Sequence, residues 1–247
     1  MIPAIYQGAA SMNALERWQT AITGNLASGS TAGFKKDETT FSSALAGGSR
    51  LQPGNLSAQL KTLMPQASSR VSDSQGALRQ TGKDLDFAVQ GPGYFQVRTS
   101  SGANAYTRNG EFHLDGNGKL VNNQGLEVQS DAGPVNVDLK LGPVTVDRTG
   151  QISQGDNAVG KIAIFDLGKS GPSKRSGDGL LVPENGSPLT QVENPEVIQG
   201  YVEESNVVPL QEMVNLISVS RAYEISQKLI TTIDQTTHSA IETLGTP

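Results

Sequence analysis

The two ends of the chain carry the pattern that most constrains its fold. Apolar residues recur there at alternating steps of three and four, the heptad spacing of helices that pack along one seam. The predicted N-terminal stripe consists of Ile5, Met12, Leu15, Ile22 and Leu26. The predicted C-terminal stripe consists of Leu216, Val219, Tyr223, Ile230, Ile233, Ala240 and Leu244. We therefore expect an N-terminal and a C-terminal helix that pair as a coiled coil.

Turn and capping residues set the limits of both helices. A Ser-Gly pair ends the first pattern, which predicts a helix over residues 3–27 with a length of about 37 Å. Asn206 is placed to cap the N–H of Val208. The second pattern then runs to Leu244 before a glycine stops it, over about 57 Å. The C-terminal helix is therefore predicted to be half as long again as its partner.

The longer helix also carries more apolar surface than the shorter one can cover. A second stripe lies beside the first and consists of Ala222, Ile225, Leu229 and Ile233. In the N-terminal stripe, Gly8 and Gln19 are two defects. A simple two-helix layer would leave apolar side chains in water, so we expect other protein chains to cover them.

Between the helical ends, the pattern changes to short alternating runs separated by Gly, Asn and Asp, which predicts an all-β middle. One unit occurs twice, as FHLDGNGKL and as VTVDRTGQI. In these units Asp115 and Asp147 can accept hydrogen bonds from the turn backbone, while Gly118 and Gly150 can supply the positive φ of a tight turn. The sequence therefore predicts two β-hairpins of one type in an α+β protein. The Ser-, Gly- and Pro-rich segments 42–66 and 168–200 are predicted to be loops.

Composition excludes several kinds of partner. The net charge of −5 argues against binding to nucleic acid or to an anionic membrane surface. The absence of cysteine excludes disulfide bonds and thiolate-bound metals. Polar residues interrupt every apolar run in the first 30 residues, so we expect no cleavable secretory signal. No window reaches the roughly 18 apolar residues of a membrane span, so we expect no membrane insertion.

The sequence offers little material for catalysis. Its two histidines, His113 and His238, are not paired by any motif with a nucleophile or an orienting acid. The Gly-Lys-Ser at 168–170 lacks the upstream glycine of a phosphate-binding loop, and the two hairpin units lack the further oxygen ligands of a Ca²⁺ loop. We therefore predict no catalytic site, no cofactor and no metal.

Four stretches together resemble the flagellar rod and hook proteins, in the order in which that family carries them. They are NLASGSTAGFKKDETTF at 25–41, GALRQTGKDLDFAVQGPGYFQV at 76–97, YTRNGEFHLDGNGKLV at 106–121 and GYVEESNVVPLQEMVNLISVSRAYE at 200–224. Ser28 and Ser220 depart from the usual residues of the family. The length and the second stretch are most similar to rod subunits of the FlgF type, with the FlgG type a close second. The matched motif residues are Asn25, Leu26, Gly33, Phe34, Ser205, Asn206, Arg221, Ala222 and Tyr223.

The resemblance implies a non-enzymatic, axial subunit of the flagellar basal-body rod. Such a subunit is exported by the flagellar type III apparatus, assembles with like and unlike rod subunits in the periplasm, and forms a helical shaft that transmits motor torque. It also implies an axial helical domain at 1–30 and 205–247, a connector at 31–75 and a β-rich outer domain at 76–204. All residues of the two predicted stripes except Ala240 would then form the polymer interface.

Two further expectations concern single residues. After the first helix, Phe34 is placed to anchor the chain on apolar surface, while Lys35 and Lys36 are expected to stay hydrated or to meet acids on a neighbouring subunit. The alternative to a rod subunit is a secreted β-rich binding or hydrolytic domain that its helical ends oligomerise. Its site would be either the hairpin loops or Asp84 and Asp86, since a spacing of two places these acids on one face of a strand.

Overall fold

The computed structural model describes residues 2–45, 63–138, 141–168, 173–177, 179–183 and 189–245. The protein is α+β, with a mostly β middle between an N-terminal and a C-terminal helix. Helix α1 spans Ile2–Ala27 and helix α2 spans Pro209–Gly245. Both helices lie within a residue or two of their predicted limits, because the turn residues that end the apolar patterns also end the helices. Neither described helix has a stretch long and apolar enough to cross a membrane.

The two helices pack against each other and run in opposite directions. Near the start of α1, Gly8 lies so close to Ile230 that a Cβ at Gly8 would be 2.9 Å from Ile230 Cγ1. Near the end of α1, Asn25 Nδ2 donates a hydrogen bond of 3.4 Å to Glu212 Oε2. The defect at Gly8 in the apolar stripe therefore has a packing role, because the missing side chain makes room for Ile230.

A two-stranded sheet of β1 and β2 accompanies the helices. Strand β1 spans Asp37–Leu45 and β2 spans Leu63–Val71. Trp18 of α1 contacts Phe41 of β1 edge to face, with 5.5 Å between the ring centroids. The prediction of loops over 42–66 is therefore wrong at its two ends, where the Ser-rich sequence pairs as strands. Residues 46–62 of that segment lie outside the described residues.

Short strands make up the middle of the chain. They are β3 Leu78–Gln80, β4 Phe87–Gln90, β5 Tyr94–Arg98, β6 Asn104–Thr107, β7 Phe112–Leu114, β8 Leu120–Asn122, β9 Glu127–Ser130, β10 Gly133–Pro134, β11 Val144–Val146, β12 Gln151–Gln154, β13 Asn157–Lys161, β14 Ile164–Asp166, β15 Ser173–Arg175, β16 Leu181–Pro183, β17 Thr190–Gln191, β18 Glu196–Gln199 and β19 Tyr201–Glu203. Strands β15 to β18 lie in the segment 168–200, so the prediction of loops there is wrong at these strands.

The largest sheet has the strand order β15-β16-β6-β5-β9-β8-β7, with β10 beside β9 and with β14 joining β5 to β17. Strands β11, β12 and β13 form an antiparallel meander, and β4 pairs with β18 and β3 with β19. Fully buried Phe95 and nearly buried Phe112 meet edge to face in the core between these strands, with 5.3 Å between their centroids. The strands that precede α2 are thus paired with the strands that open the β middle.

The two predicted hairpins of one type are confirmed as β7–β8 and β11–β12. In each turn the aspartate Oδ1 accepts two backbone N–H groups: Asp115 at 2.9 and 2.8 Å, Asp147 at 2.9 and 2.9 Å. Gly118 and Gly150 have φ of 81° and 82°, as the turn requires. These hydrogen bonds hold the pKa of both carboxyls below the ordinary value, chiefly through the backbone of Lys119 for Asp115 and the hydroxyl of Thr149 for Asp147.

The chain divides into two compact units. One contains residues 1–27, 37–70 and 208–247, and the other contains 28–36 and 71–207. The segment predicted as a connector, 31–75, is shared between both units and contains β1 and β2. A short piece of chain after α1 therefore belongs to the β unit, and its side chains lie in the cluster described next.

Candidate assembly site

A buried ion cluster lies where the entry and the exit of the β unit meet. Glu203, at the end of β19, is 1% exposed, and its two oxygens bind two cations. Oε1 accepts a hydrogen bond of 2.5 Å from Lys35 Nζ, and Oε2 accepts one of 2.9 Å from Arg108 Nη1. Both cations are themselves 3% exposed or less. In the sequence, Glu203 is 168 positions from Lys35 and 95 positions from Arg108.

Backbone groups complete the hydrogen bonding of this cluster. Arg108 donates to the carbonyls of Val89 and Gly91 at 2.9 and 2.5 Å, and Lys35 Nζ donates to the carbonyl of Ser74 at 2.8 Å. The N–H of Gly76 donates to Glu203 Oε1 at 2.8 Å. Because buried charges are tolerated only when they are paired and hydrogen-bonded, this arrangement can fix five separate segments to one another.

The electrostatics of the cluster follow from its burial. Removal from water lowers the pKa of Lys35 below its usual value, and the hydrogen bond that Lys35 donates to Glu203 acts against this effect. The Arg108 guanidinium lies 5.1 Å from the ring centroid of Tyr94, whose hydroxyl donates a 3.3 Å hydrogen bond to Asp73. Burial raises the pKa of Tyr94 well above its usual value. The phenol is therefore a neutral donor at physiological pH.

Gly33 and Phe34, which precede Lys35, pack the segment after α1 against this cluster. Gly33 has φ of 67°, its N–H donates to the carbonyl of Glu203 at 2.7 Å, and a Cβ there would lie 2.1 Å from the backbone nitrogen of Asn109. Only glycine fits this close approach. Phe34 is buried as predicted, with the guanidinium of Arg175 at 4.2 Å from its ring centroid.

The prediction that Lys35 stays hydrated or meets a neighbouring subunit is wrong. Lys35 is buried in an ion pair with Glu203 of its own chain. No local pattern indicates this burial, because the two cations that meet Glu203 are distant from it in the sequence. The adjacent Glu204 lies at the surface, with Arg79 at 3.0 Å.

Asn25 and Asn206 fix the two boundaries of the segment with their side chains. Asn25, buried at the end of α1, exchanges hydrogen bonds with the backbone of Asp37 at 3.0 and 2.8 Å. Asn206 accepts from the N–H of Lys36 at 2.7 Å and donates to the carbonyl of Ser74 at 2.9 Å. The prediction that Asn206 caps the N–H of Val208 is therefore wrong, because its amide is used in the β unit.

The predicted stripe residues lie on the covered faces of the two helices. Ile22 and Val219 are fully buried within one chain. The remaining members with described side chains are half-buried: Met12, Leu15, Leu26, Leu216, Tyr223, Ile230 and Ile233. The side chains of Ile5, Ala240 and Leu244 lie outside the described residues. That these residues contact other subunits stays a prediction, while the contact of Ile230 with Gly8 lies within the chain.

A different face of α2 exposes large apolar side chains. Its members are each at least half exposed and follow helical spacing: Leu210, Met213, Val214, Ile217, Ile225 and Leu229. We call this set the α2 stripe. At 100° per residue, its first four members lie on one face, opposite the buried Glu212 and Val219. The expectation that α1 leaves apolar surface uncovered is confirmed at Ile225 and Leu229.

Comparison with known proteins decides the family. A family model described as the flagellar hook protein FlgE/F/G D1 domain matches residues 88–154, and one described as the flagellar basal body rod FlgEFG protein C-terminal matches 198–243. The flagellar basal-body rod protein FlgF of Caulobacter vibrioides is 32% identical over 98% of both chains. The chain belongs to the flagellar basal-body rod protein family. FlgF of Mesorhizobium japonicum is 32% identical over 99% of both chains, and FlgG of Buchnera aphidicola subsp. Schizaphis graminum is 32% identical over 95% of this chain and 97% of its own.

Within this rod family the chain is a structural subunit of the FlgF and FlgG type rather than an enzyme. The four stretches that carry the resemblance converge on the ion cluster: Lys35 comes from the first, Gly91 from the second, Arg108 from the third and Glu203 from the fourth. Residues of the four family stretches thus bind one another within the rod subunit. Of the other motif residues, Ser205 Oγ accepts from the N–H of Val207 at 3.2 Å, Arg221 is exposed, and Ala222 is half-buried.

The alternative of a hydrolytic or binding domain is not favoured by the family. Its proposed acids are also not placed as a pair on one strand face, because Asp84 is exposed in a turn and Asp86 is buried at the bridge that precedes β4. In the described part of the rod subunit, no group of three acidic or histidine side chains is arranged to hold a metal ion. The cavity beside these acids is taken up below.

Proposed function

We propose that this rod subunit self-assembles, with copies of itself and with other rod subunits, through its terminal helices. The contact repeats along a helical shaft that transmits motor torque. The α2 stripe is the observation that carries this proposal, because monomeric proteins rarely expose a contiguous apolar face on a long helix. Burying the exposed part of each stripe residue contributes about 1 kcal/mol, so six residues supply several kcal/mol for each contact.

The geometry of such a contact suits a shaft. The stripe lies on one helix, while the covered face of the same helix packs on α1, so a neighbour has to bind with a different surface or with the same helix of another copy. A contact between two different surfaces generates a helical filament whenever its rotation does not close a ring. In the assembled shaft, the helix pair would adopt the coiled-coil packing that the heptad spacing favours, and the predicted stripe residues would hold that pair together.

Several finer assignments belong to the same proposal. The helices at 1–30 and 205–247 would form the axial part of the rod, and the β-rich 76–204 its outer part. The subunit would reach the periplasm through the flagellar type III export apparatus without cleavage. The FlgF type is supported by alignments over 98–99% of both chains, compared with 95–97% for the FlgG relatives.

The experiment replaces two exposed stripe residues, Met213→Asp and Ile217→Asp, in the chromosomal copy of the gene. Charge on this face opposes burial in a subunit contact, whereas it costs the isolated subunit little because both side chains are already in water. We expect purified subunits to have wild-type circular dichroism, and cells to lose assembled rods in electron micrographs of basal bodies.

The matched control is Gln227→Asp with Gln235→Asp, two exposed polar positions of the same helix. This control should keep motility. Normal rods in the Met213 and Ile217 variant would contradict the proposal. Ile230 is unsuitable for the test, because it packs on Gly8 within the chain and its substitution would disturb the helix pair itself.

A further inference from the structure

A cavity of about 800 Å³ opens in the β unit beside the turn that leads into β4. Residues 82–86 and residues 111–113 at the start of β7 line it side by side, since Asp86 and Glu111 pair in an antiparallel bridge. The first of these segments is anchored by hydrogen bonds to its backbone, from the N–H of Gly200 to the carbonyl of Asp86 at 2.8 Å and from Gln199 Nε2 to the carbonyl of Asp84 at 2.7 Å. The cavity is therefore lined by a turn that is hydrogen-bonded to β18 and its neighbour Gly200, and by the start of β7.

Carboxylates dominate the charge of this cavity. Asp84, Asp86 and Glu111 line it, facing one lysine, Lys83, and one histidine, His113. Of these acids, Glu111 accepts a hydrogen bond of 3.3 Å from Asn123. Leu85 and Phe112 add apolar wall between the acids. The lining thus combines an apolar surface with an excess of negative charge.

Asp86 is the unusual member of this lining. It is 3% exposed, and its Oδ2 atom is buried without a hydrogen-bond partner in the described part of the chain. Because a buried carboxylate without a donor is costly, such a group points to a donor supplied from outside the chain. Asp86 is also one of the residues that line the cavity.

We propose that this acidic cavity receives an arginine side chain of a neighbouring protein chain. The guanidinium has five N–H donors in a flat arrangement, so it can bind Asp86 and a second acid of the cavity together. Its methylene stem would lie along Leu85 and Phe112. A metal ion is disfavoured because the acids of this lining do not form a three-ligand group among the described residues.

The inference goes beyond the proposed function and rests on it only for the source of the arginine, which would be a neighbouring subunit. Binding of a guanidinium group by the isolated subunit can be measured without any assembly. If the cavity does not bind the guanidinium group, the proposal for the α2 stripe is therefore unaffected. If the stripe variant still assembles rods, the proposal for the cavity is unaffected.

The test titrates the ¹⁵N-labelled full chain with N-acetyl-arginine amide and with its uncharged analogue N-acetyl-citrulline amide. We expect saturable shifts of the amides of Leu85, Glu111 and Asn123 with the arginine probe only. Asp86→Asn should weaken that binding at least tenfold, because it removes the charge and keeps the shape. Asp156→Asn, an exposed acid of the β12–β13 turn, is the matched control and should leave the binding unchanged.

Because Asp86 is buried, its substitution can disturb folding, and a second variant therefore tests the same cavity at more accessible acids. Asp84→Asn with Glu111→Gln changes an exposed and a half-exposed acid of the same cavity, and it should also weaken the arginine probe several-fold. Equal shifts with the citrulline probe, shifts that do not saturate, or wild-type affinity in both variants would each overturn the proposal.

Discussion

At the scale of single residues, Glu203 has the largest set of consequences. Its carboxylate is shared by Lys35 and Arg108 in a volume from which water is excluded. An ion cluster of this kind adds little net stability compared with an apolar core, but the loss of one partner leaves the others charged, buried and unpaired. The cluster is therefore sensitive to conservative substitutions that would be harmless at the surface.

Glu203→Gln should destabilise the β unit by about 3–5 kcal/mol, because two buried cations lose their counter-charge. Urea unfolding followed by far-ultraviolet circular dichroism measures the change. The control is the neighbouring exposed Glu204→Gln, whose pair with Arg79 at the surface should contribute about 0–1 kcal/mol. Equal effects of the two substitutions would show that the buried cluster does not hold the unit together.

The hairpin aspartates predict a sensitivity to acid. Because the pKa values of Asp115 and Asp147 are lower in the folded chain than their ordinary 3.8, their contribution is present above 3.8 and is lost as the pH falls through the folded values. A variant with Asp115→Asn and Asp147→Asn should lose less stability than the wild type when the pH falls from 5 to 3.

Thermal melting at both pH values measures this difference, with Asp156→Asn as an exposed control that should follow the wild type. A double variant that loses as much stability as the wild type would show that protonation of the turn carboxylates does not weaken the hairpins.

At the scale of elements, the antiparallel helix pair explains an exception in the sequence. Glycine weakens a helix interior by roughly 0.5–1 kcal/mol relative to alanine, so Gly8 and Gly24 in α1 both reduce its intrinsic stability. Their surroundings differ: Ile230 fills the space beside Gly8, while no side chain or distant backbone atom of the described residues lies within 4 Å of a Cβ at Gly24. The first glycine serves packing, and the second does not contribute to the helix contact.

Gly24→Ala should therefore stabilise the chain by up to about 1 kcal/mol. Gly8→Ala should gain nothing or should destabilise it, since the new methyl would have to displace Ile230 from 2.9 Å. Melting temperatures of the two variants, measured under the same conditions, provide the comparison. A similar stabilisation by both would mean that Ile230 yields at no cost and that the fit at Gly8 is loose.

At the scale of the whole molecule, apolar contact rather than charge should drive assembly. The net charge of −5 is small and is repulsive between copies, whereas the α2 stripe offers six exposed apolar side chains. Self-association of the purified chain should therefore strengthen with ammonium sulfate and weaken on cooling. Sedimentation velocity measures both, and dissociation in moderate sodium chloride would instead indicate association through ion pairs.

Much of the fold was predictable where the cause is local. The limits of α1 and the turns at Asp115 and Asp147 depend on neighbouring residues, and the structure confirms them. The burial of Lys35 was not predictable, because its partner lies 168 positions away. Periodicity likewise identified apolar stripes on α2, but which of them α1 covers depends on the rotation of one helix against another, and the sequence does not encode that locally.

The position of the ion cluster determines how the β unit bears mechanical load. Lys35 lies at the end of the first segment of the unit, 28–36, and Glu203 lies near the end of the second, 71–207, and the two are bonded directly. The backbone hydrogen bond from Gly33 to Glu203 and the one from Asn206 to Phe34 lie beside them. A pull between these two segment ends is therefore carried across this short span of bonds, and the strands of the second segment stay unloaded until the cluster breaks.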